Sequence, residues 1–552
     1  MKHIVGALMT VCSVFVTQAA AAPVVNIPGE TVTLPARELR QLQDDWQRGR
    51  TNRQMREFEQ RAPEQAMPEA DRAQSPASGF RFTVKSIGHT PSQVLTDAEF
   101  DEAVAAWVGR SIRAEEIADM LDAVNARYRA RGYVVCQAVV KPQRIRNGHL
   151  EITLLEGRTE RTIVSGNDTT NEDYITAAFD FREGEVANYR DMIDALVRFN
   201  MTNDVALKID IGPGETPMGT VYRIQAQEPE RWVAAVFGDT SGSKSTGRPR
   251  IGASLTNRSV FGIRDTLTVL ALASEGSKSG MIGYTLPITP QGTKVSGMLS
   301  YGSVDVVDGP AADLDVSGDS TMASLRLEHP VYVTSQSKYT LWGEVARQVS
   351  KSDMFGDIRI SDTAINSFSA GLDVLAGADN TLLAGSAYLS RHLVNEREFD
   401  KKSSYTLFNG NVTARRGFDN GFALTLAAHW QSVLGGDALN SADYFYLGHI
   451  NGVRGYDNDI VCAEAGFAAS VEAGYPIAGE RSWLYAFFDA GRLSGERISA
   501  ERELYSVGAG LIWPLFEGAH LNVTASFPLK RKLDDDIEVS SARADLAVVV
   551  TW

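Results

Sequence analysis

The segment ARADLAVVVTW, residues 542–552, alternates in polarity along its whole length. Leu546 and Val548 belong to an apolar set of every second residue, whereas Arg543 and Asp545 belong to the intervening set. Successive side chains of a β-strand point to opposite faces of a sheet. One face of this segment is therefore apolar without interruption and the other carries charge, as expected of a strand with lipid on one side and water on the other.

The same alternation recurs upstream, where Gly, Asp, Asn and Ser separate the segments of residues 231–552. The sixteen segments lie near 231–239, 249–258, 264–274, 280–288, 293–304, 319–331, 338–349, 363–375, 380–391, 404–415, 421–432, 466–476, 483–493, 503–513, 519–528 and 542–552. A membrane-spanning strand needs about 9–11 residues. The pattern predicts a sixteen-stranded antiparallel transmembrane β-barrel; the alternative, a large soluble β-sandwich, fits the even strand count less well.

Two smaller units precede the barrel, at residues 80–157 and 158–229, and both have the order β-α-α-β-β. In the first unit, a capping box at Thr96 and Glu99 starts a helix, and Gly132 ends a second helix over 114–130. The first helix has an apolar face of Phe100, Val104, Trp107 and Val108. The predicted strands of this unit are 80–87, 133–141 and 149–155.

The second unit repeats this order, with strands at 162–166, 205–211 and 221–227 and helices at 172–179 and 189–199. A tandem repeat of about 70–75 residues indicates two copies of one folding unit. We call residues 80–157 the first module and residues 158–229 the second module. The predicted fold class is therefore mixed: two α/β modules followed by a barrel.

The N-terminus has the pattern of a secretory signal over residues 1–22. Its apolar stretch, Ile4–Val16, is too short to span a bilayer, and small residues at 19–22 supply a cleavage site. A buried N-terminal helix is the alternative. The pattern predicts that the chain is exported.

A polar lead-in follows at residues 23–79. Residues 35–61 have helical spacing with a thin apolar stripe, formed by Leu39, Leu42, Trp46, Met55 and Phe58. So thin a stripe suits a polar, water-filled surrounding rather than a protein core. A partly disordered linker is the alternative for 35–61, and residues 62–79, rich in Pro, Ala and Ser, are predicted to be a linker.

The composition excludes several classes of function. Lys and Arg total 54 against 69 for Asp and Glu, a net charge of −15, which disfavours nucleic acid because phosphate binding needs clustered cations. The spacings H-E-x-x-H, G-x-S-x-G, G-x-x-x-x-G-K-[ST] and G-x-G-x-x-G do not occur, and the histidines are scattered. We expect no enzyme activity, no metal site and no cofactor. Cys136 and Cys462 are expected as separate packed thiols, with a disulfide between them as the alternative.

One string at the end of the first module resembles a known family. Its residues are, in order, Arg131, Gly132, Tyr133, Pro142, Gln143, Gly148, Glu156 and Gly157. The string is similar to the signature that closes the first POTRA module of two-partner secretion translocators, the haemolysin secretion/activation (ShlB/FhaC/HecB) family.

A second string lies in the barrel zone. The long segment 434–465 contains Val453, Arg454, Gly455 and Tyr456, and the later strand segment contains Phe487, Asp489 and Gly491. These residues resemble the loop motif and the facing strand motif of the same superfamily. The resemblance covers essentially the whole chain after the signal.

The resemblance implies an outer-membrane translocator of a Gram-negative bacterium, with POTRA modules in the periplasm. Such proteins recognise one large secreted partner, usually a haemolysin or an adhesin, which passes unfolded through the barrel. The lead helix plugs the pore at rest, and the long loop enters the lumen. The implied partners are this exoprotein and outer-membrane lipid, and we expect a monomer. Two alternatives stay open: an outer-membrane protein assembly or insertion factor, and a passive porin.

A contact between the two barrel motifs can be argued from the residues. A lipid-facing carboxylate is penalised by roughly a kcal/mol or more, so Asp489 should face the lumen together with Tyr485 and Phe487. Arg454 offers a planar fork that matches a carboxylate, and Gly455 permits close backbone approach. We therefore expect Arg454 to pair with Asp489 and to hold the loop in the lumen; an ordinary exposed arginine is the alternative.

The surface that recognises the partner is less well defined. An extended chain can add a strand to an open sheet edge. The candidate edge runs through Tyr133, Val135, Gln137 and Val139, beside the helix 114–130. The alternative is that these residues only fold the module.

Overall fold

The computed structural model describes residues 33–59, 81–309, 312–356, 358–458, 460–479, 481–498, 502–533 and 538–552. The predicted signal at 1–22, the rest of the lead-in up to 32, and the predicted linker at 62–79 lie outside these ranges. None of the helices in the described ranges is both long enough and apolar enough to cross a membrane.

The first module is a three-stranded sheet covered by two helices. Its elements are β1 (Arg81–Thr83), β2 (Ser86–His89), α2 (Asp97–Val104), β3 (Ser111–Arg113), α3 (Glu116–Ala130), β4 (Gln137–Val139) and β5 (His149–Leu155). Strand β5 lies in the centre, parallel to β2 and antiparallel to β4. The capping box is formed as expected, because Thr96 accepts from the Glu99 backbone and Glu99 bonds back to Thr96.

Three details of this module differ from the sequence prediction. The first strand is split into β1 and β2, and β1 pairs with the unpredicted β3. Helix α2 ends at Val104 in a 3-10 turn, and Val108 is 43% exposed instead of packed. The strand expected at 133–141 is reduced to β4, because a turn bond from the Cys136 N–H to the Tyr133 carbonyl bends the chain before it.

The second module has the same topology. Its elements are β6 (Arg158–Ser165), α4 (Glu172–Thr176), α5 (Tyr189–Thr202), β7 (Ala206–Pro213) and β8 (Gly219–Gln227). Strand β8 lies in the centre, parallel to β6 and antiparallel to β7. The predicted repeat is therefore present at the level of strand order and strand direction.

The rest of the chain forms a closed antiparallel barrel. Its strands are β9 (Trp232–Asp239), β10 (Arg250–Asn257), β11 (Thr266–Ala273), β12 (Ser277–Pro287), β13 (Lys294–Asp305), β14 (Ser317–Thr334), β15 (Ser337–Met354), β16 (Ile358–Ala378), β17 (Thr381–Glu396), β18 (Lys401–Gly417), β19 (Ala423–Gly436), β20 (Phe445–Leu447), β21 (Val461–Pro476), β22 (Trp483–Ile498), β23 (Glu503–Phe516), β24 (Ala519–Pro528) and β25 (Arg543–Thr551). Strand β20 pairs only with the start of β21, so the wall has the predicted sixteen strands. Strands β25 and β9 close it.

The alternation that predicted the barrel is seen in β25. Arg543 and Asp545 are buried on the inner side, and Leu546 is 45% exposed on the outer side. Strands β14 to β18 have 16 to 21 residues, longer than the predicted ten or so, because backbone pairing continues where the apolar alternation has stopped. The predicted long segment 434–465 is shorter in the structure, because β19 extends to Gly436 and β21 begins at Val461. Cys462 therefore lies on β21, where it pairs with Tyr446.

Candidate functional site in the barrel lumen

A polar helix, α1 (Leu34–Glu59), lies inside the barrel. The predicted helix included residues 60 and 61, which lie outside the described ranges. Leu39 and Leu42 are buried in a cluster with methionines of the wall, namely Met281, Met298 and Met322. Near the turn that joins β16 to β17, Met55 packs with Leu375 and Leu382. The thin apolar stripe therefore contacts the inner wall along the helix, and the lumen is occupied.

The N-terminal half of α1 has most of the polar contacts with the wall. Gln348 donates to the Ala36 carbonyl at 2.9 Å. The Glu38 carboxylate accepts from Thr246 at 2.7 Å and from Ser277 at 2.9 Å. In the C-terminal half, Arg48 donates to the Ile450 carbonyl at 3.2 Å and Arg50 lies 3.7 Å from Glu328. The helix is held chiefly at the end that begins at Leu34.

One carboxylate joins the helix, the long loop and the wall. Asp443, in the loop between β19 and β21, has a side chain that is 1% exposed and pairs with Arg40 of α1. Its oxygens also bond to the Tyr405 hydroxyl and lie 2.9 Å from the imidazole of His392, both on the wall. Arg40 donates further to the Ala442 carbonyl at 2.6 Å. The same loop segment therefore binds both α1 and the wall.

The loop, residues 437–460, turns back into the lumen before β21. Gly452 and Gly455 have φ of +95° and +94°, a region that side chains rarely adopt. Between them, Val453 is fully buried with Leu447 and Leu493. The loop tip is thereby packed as a small core against the inner face of the barrel.

Arg454 projects from this tip onto β22. Its Nε and Nη2 donate to the two oxygens of Asp489, both at 2.9 Å, and its backbone N–H donates to Asp489 at 3.0 Å. The guanidinium also bonds Glu472 at 3.1 Å and Ser470 at 2.9 Å, and lies 3.4 Å from the centre of the Phe487 ring. The structure thus brings together the two motifs that the sequence singled out, in a two-pronged charge pair.

Asp489 has no exposed surface, and Ser470 donates to it at 2.6 Å. A buried charge needs a partner and satisfied hydrogen bonds. Phe487 is 5% exposed on the same inner face, whereas Phe488 is 44% exposed on the lipid side. This is the orientation that the alternation predicted.

Two other motif residues have steric roles. A Cβ at Gly491 would lie 2.8 Å from Leu447 and 2.9 Å from Val453, so a larger residue would push the loop tip away. Tyr456 is fully buried, and its hydroxyl bonds the Tyr505 carbonyl at 3.0 Å. These residues fasten the loop to β22, β23 and β24.

Two glycines of the POTRA-type signature lie at the joint between the two modules. The Gly132 carbonyl accepts from the Tyr189 N–H at 2.8 Å, and a Cβ at Gly132 would lie 2.6 Å from Arg190 and from Asn188. The Gly157 carbonyl accepts from Ala187 at 2.9 Å. These glycines let the two modules approach closely.

The other signature residues support the first module itself. Glu156 accepts from Ser92 at 2.5 Å and from Tyr128 at 3.0 Å, and Arg131 donates to the Val94 carbonyl at 2.5 Å. The Gln143 side-chain amide donates to the Glu151 carbonyl at 2.6 Å and accepts from the Glu151 N–H at 2.9 Å. Gly148 has φ +76°, and Pro142 lies in the bend between β4 and β5.

The candidate recognition edge is narrower than the sequence suggests. Only Gln137 and Val139 lie on β4, while Tyr133 and Val135 lie in the turn before it. The N–H of Ala138 points away from β5 and donates to Asn125 of α3 at 2.7 Å. Because alternate residues of a strand direct their backbone groups to opposite edges, the N–H groups of Gln137 and Val139 face β5.

Sequence reasoning missed several contacting residues. Ser470 and Glu472 stand opposite Asp489 and Phe487 in the β21–β22 register, and their alternate spacing on β21 is a signal that was available. Arg40 and Asp443 are 403 residues apart, and no local pattern links them. In the described ranges, no group of three or more His, Cys, Asp or Glu side chains is arranged to hold a metal.

The two thiols lie in different domains. Cys136 is buried in the first module and Cys462 is buried on β21, so the alternative of a disulfide between them is wrong. Burial raises the pKa of the Cys136 thiol to about 12. This side chain is therefore a packing residue in its neutral form at neutral pH.

Comparison with known proteins agrees with this architecture. The model of the haemolysin secretion/activation protein family ShlB/FhaC/HecB matches residues 219–512, just over half of the chain, and the ShlB-type POTRA domain matches residues 82–157. The outer membrane transporter CdiB of Escherichia coli is 26% identical over 481 residues, which cover 83% of this chain and 77% of that protein. The heme/hemopexin transporter protein HuxB of Haemophilus influenzae is 24% identical over 493 residues, covering 82% and 84%.

A solved structure of CdiB from Escherichia coli has the same fold, with a TM-score of 0.70 at 22% identity, covering 96% of this chain and all of that one. The barrel lies in the outer membrane and the POTRA modules lie in the periplasm, as in the matched family. The chain belongs to the haemolysin secretion/activation protein family ShlB/FhaC/HecB, whose members are outer-membrane transporters of the two-partner secretion type.

Proposed function

We propose that this chain exports one large exoprotein of the haemolysin or adhesin type, which the periplasmic modules bind and the barrel conducts. The observation that carries the proposal is the occupied lumen: a polar helix fills a closed barrel whose periplasmic mouth holds two binding modules. A passive porin would need a lumen open to solutes. A lumen closed by a removable helix fits a channel that opens only for its partner.

Removal of α1 is physically feasible because few apolar side chains fasten it. Its buried apolar anchors are Leu34, Ala36, Leu39, Leu42 and Met55, and its other contacts include polar groups that water can satisfy. The strongest single contact is the charge pair of Arg40 with Asp443. We propose that this pair is broken when the partner enters.

The Arg454–Asp489 pair keeps the other end of the loop fixed. Since Arg454 and Asp443 lie on the same loop, the barrel can lose the helix while the loop tip stays anchored to β22. Val453, Gly455, Tyr456, Phe487 and Gly491 contribute by packing the tip. We propose that this arrangement keeps the barrel competent for transport.

Recognition of the partner is proposed at the β4 edge of the first module, beside α3. The Asn125 side chain occupies the outward N–H of Ala138, so an incoming strand would have to replace one hydrogen bond there. At the corresponding edge of the second module, Asn200 bonds both the N–H and the carbonyl of Leu207, at 2.8 and 2.9 Å. The first edge is therefore the more accessible of the two.

A photo-crosslinking amino acid tests this assignment. Placed at Gln137, which is exposed on β4, it should capture the exoprotein during export. The matched control is Lys208, exposed on β7 of the second module. Equal capture at both positions, or none at Gln137, would contradict recognition at the β4 edge.

We further propose a monomer surrounded by outer-membrane lipid. The outward residues of the tall β14–β16 wall are apolar and about half exposed, namely Leu325, Leu327, Leu341, Val345 and Phe368. Such a band has the chemistry of a lipid contact.

A barrel-assembly factor remains the second candidate. The closing pair β25–β9 runs from Ala547↔Asp239 to Thr551↔Ala235, five residue pairs, against eight in the adjacent β9–β10 pair. A short seam favours sideways opening towards the bilayer, which an insertion factor would use.

Deletion of the gene distinguishes the two functions. Culture supernatant and outer membranes of the deletion strain and its parent would be compared by mass spectrometry. Loss of one large protein from the supernatant, with intact outer membranes, supports export. A general loss of outer-membrane proteins would support assembly instead.

A further inference from the structure

The second module is attached to the barrel by a turn with an unusual backbone. This turn, residues 258–265, joins β10 to β11 at the periplasmic end of the barrel. Arg264 within it has φ +60°, a left-handed conformation that long side chains rarely adopt. Its side chain is nevertheless 1% exposed. The unfavourable backbone therefore directs a buried guanidinium towards the second module.

Arg264 makes a two-pronged pair with Asp204, which lies between α5 and β7. Its Nε and Nη2 donate to the two carboxylate oxygens, both at 2.7 Å. Its Nη1 donates to the Thr169 hydroxyl at 3.2 Å, and Thr169 in turn donates to Glu228 at 2.6 Å. One arginine of the barrel thus joins three separate segments of the second module.

Further contacts surround this pair. Ser259 donates to the Thr169 carbonyl at 2.7 Å, and the Asn171 N–H donates to the Gly262 carbonyl at 2.7 Å. Ile263 packs against the apolar core of the second module. The first residue of β13 contributes as well, since Lys294 donates to the Thr202 carbonyl at 2.7 Å. The barrel therefore contacts the second module through both polar and apolar groups.

We propose that the Arg264–Asp204 pair is the mount that holds the second module at one angle over the barrel mouth, and that both are positioning residues for export. The effect on export rests on the proposed function, whereas the alignment of the module does not. Neither side chain reaches the lumen helix or the loop tip in the contacts described above. Their role is to keep the module aligned so that a bound chain meets the pore.

Spin labels measure the distance between the second module and the barrel in the purified full-length protein. Cysteines at Lys208 of the second module and Gln336 of a periplasmic turn are both at exposed positions. We expect one narrow distance distribution in the parent protein. Arg264→Ala and Asp204→Asn should broaden it and reduce export of the exoprotein, because the second module is no longer held in line with the pore.

Controls separate alignment from folding. Arg182→Ala removes an arginine of the same module whose side chain is 66% exposed and pairs with Asp180, and it should change neither readout. Where Arg264→Ala fails to assemble, judged by heat-dependent migration of the barrel in gels, Arg264→Lys keeps the charge without the two-pronged geometry.

An unchanged distance distribution in Arg264→Ala would refute the claim that the Arg264–Asp204 pair fixes the angle of the second module. A broadened distribution with full export would overturn the positioning role. The distance measurement needs no exoprotein. A chain that exports nothing would therefore refute the proposed function, while the spin-label distances would still show whether the Arg264–Asp204 pair fixes the angle of the module.

Discussion

Replacing Arg454 by alanine should release the loop tip from the barrel wall. The change removes both side-chain bonds to Asp489, which has no exposed surface, and the bonds to Glu472 and Ser470. Removing one partner of a buried charge pair costs about 3–5 kcal/mol. The backbone N–H at 454 and the Ser470 hydroxyl still donate to Asp489, so we take the lower end, about 3 kcal/mol.

Since 1.4 kcal/mol corresponds to a factor of ten, the ratio of docked to released loop should fall by about a hundredfold. The assay is cleavage of loop 437–460 by protease added to intact cells, with secretion of the exoprotein measured in parallel. Cleavage should increase and secretion should fall, while heat-dependent gel migration shows an assembled barrel. Asp489→Asn keeps the shape without the charge and should give a smaller effect in the same direction.

The matched control is Arg492→Ala on β22, the strand that carries Asp489, because the Arg492 side chain is 75% exposed and lies 3.6 Å from Glu503. A pair at such exposure is worth about 0–1 kcal/mol. Unchanged protease resistance together with normal secretion in Arg454→Ala would refute the role that we assign to the charge pair.

Three further predictions follow from other contacts. Arg40→Ala and Asp443→Asn should each raise the conductance of the purified barrel in planar bilayers, and the double variant should add little, because both remove one contact between helix and loop. Additive effects would show that the two residues act separately, and Arg56→Ala, at an exposed position of the same helix, is the control. Gly132→Ala should lower the unfolding temperature of the protein more than Gly184→Ala, since both have φ near +80° to +90° but only a Cβ at Gly132 meets atoms, at 2.6 Å; equal effects would show that the module joint tolerates the methyl group. Hydrogen bonds from the side chain and backbone of Thr216 and the backbone of Glu215 hold the pKa of Glu160 at about 2, below its ordinary 4.5. Their contribution to stability is complete above pH 4.5 and is lost as the pH falls towards 2. Over that range the protection of the backbone amides at 214–219 from hydrogen exchange, relative to their intrinsic rates, should decrease in the parent and not in Glu160→Gln.

Much of the fold could be predicted because the apolar residues recur with the local period of a strand or a helix. The sixteen segments correspond to the sixteen wall strands, and the capping box at Thr96 is present. The errors occur where local pattern and pairing disagree. Val108 continued an apolar helical face but lies beyond the end of α2, and β14 to β18 extend because a neighbouring strand supplies hydrogen bonds to any residue type.

The candidate site was only partly predictable. Alternation directs Asp489 inward, and the family resemblance pointed to Arg454 as its partner. The candidate recognition edge is narrower than the sequence predicted, because Asn125 lies thirteen residues before Ala138 and its amide reaches the strand only after α3 has folded back. No periodic signal marks a side chain that closes a sheet edge.

The sequence by itself determined which residues face lipid, which face water and where each module repeats, because burial on one side of a strand or helix imposes a period that can be read along the chain. Tertiary structure alone decided the pairing of Arg40 with Asp443 and of Arg264 with Asp204. Those partners are 403 and 60 residues apart. Barrel closure and the seating of the second module bring them together, and an ion pair has directional geometry but no period.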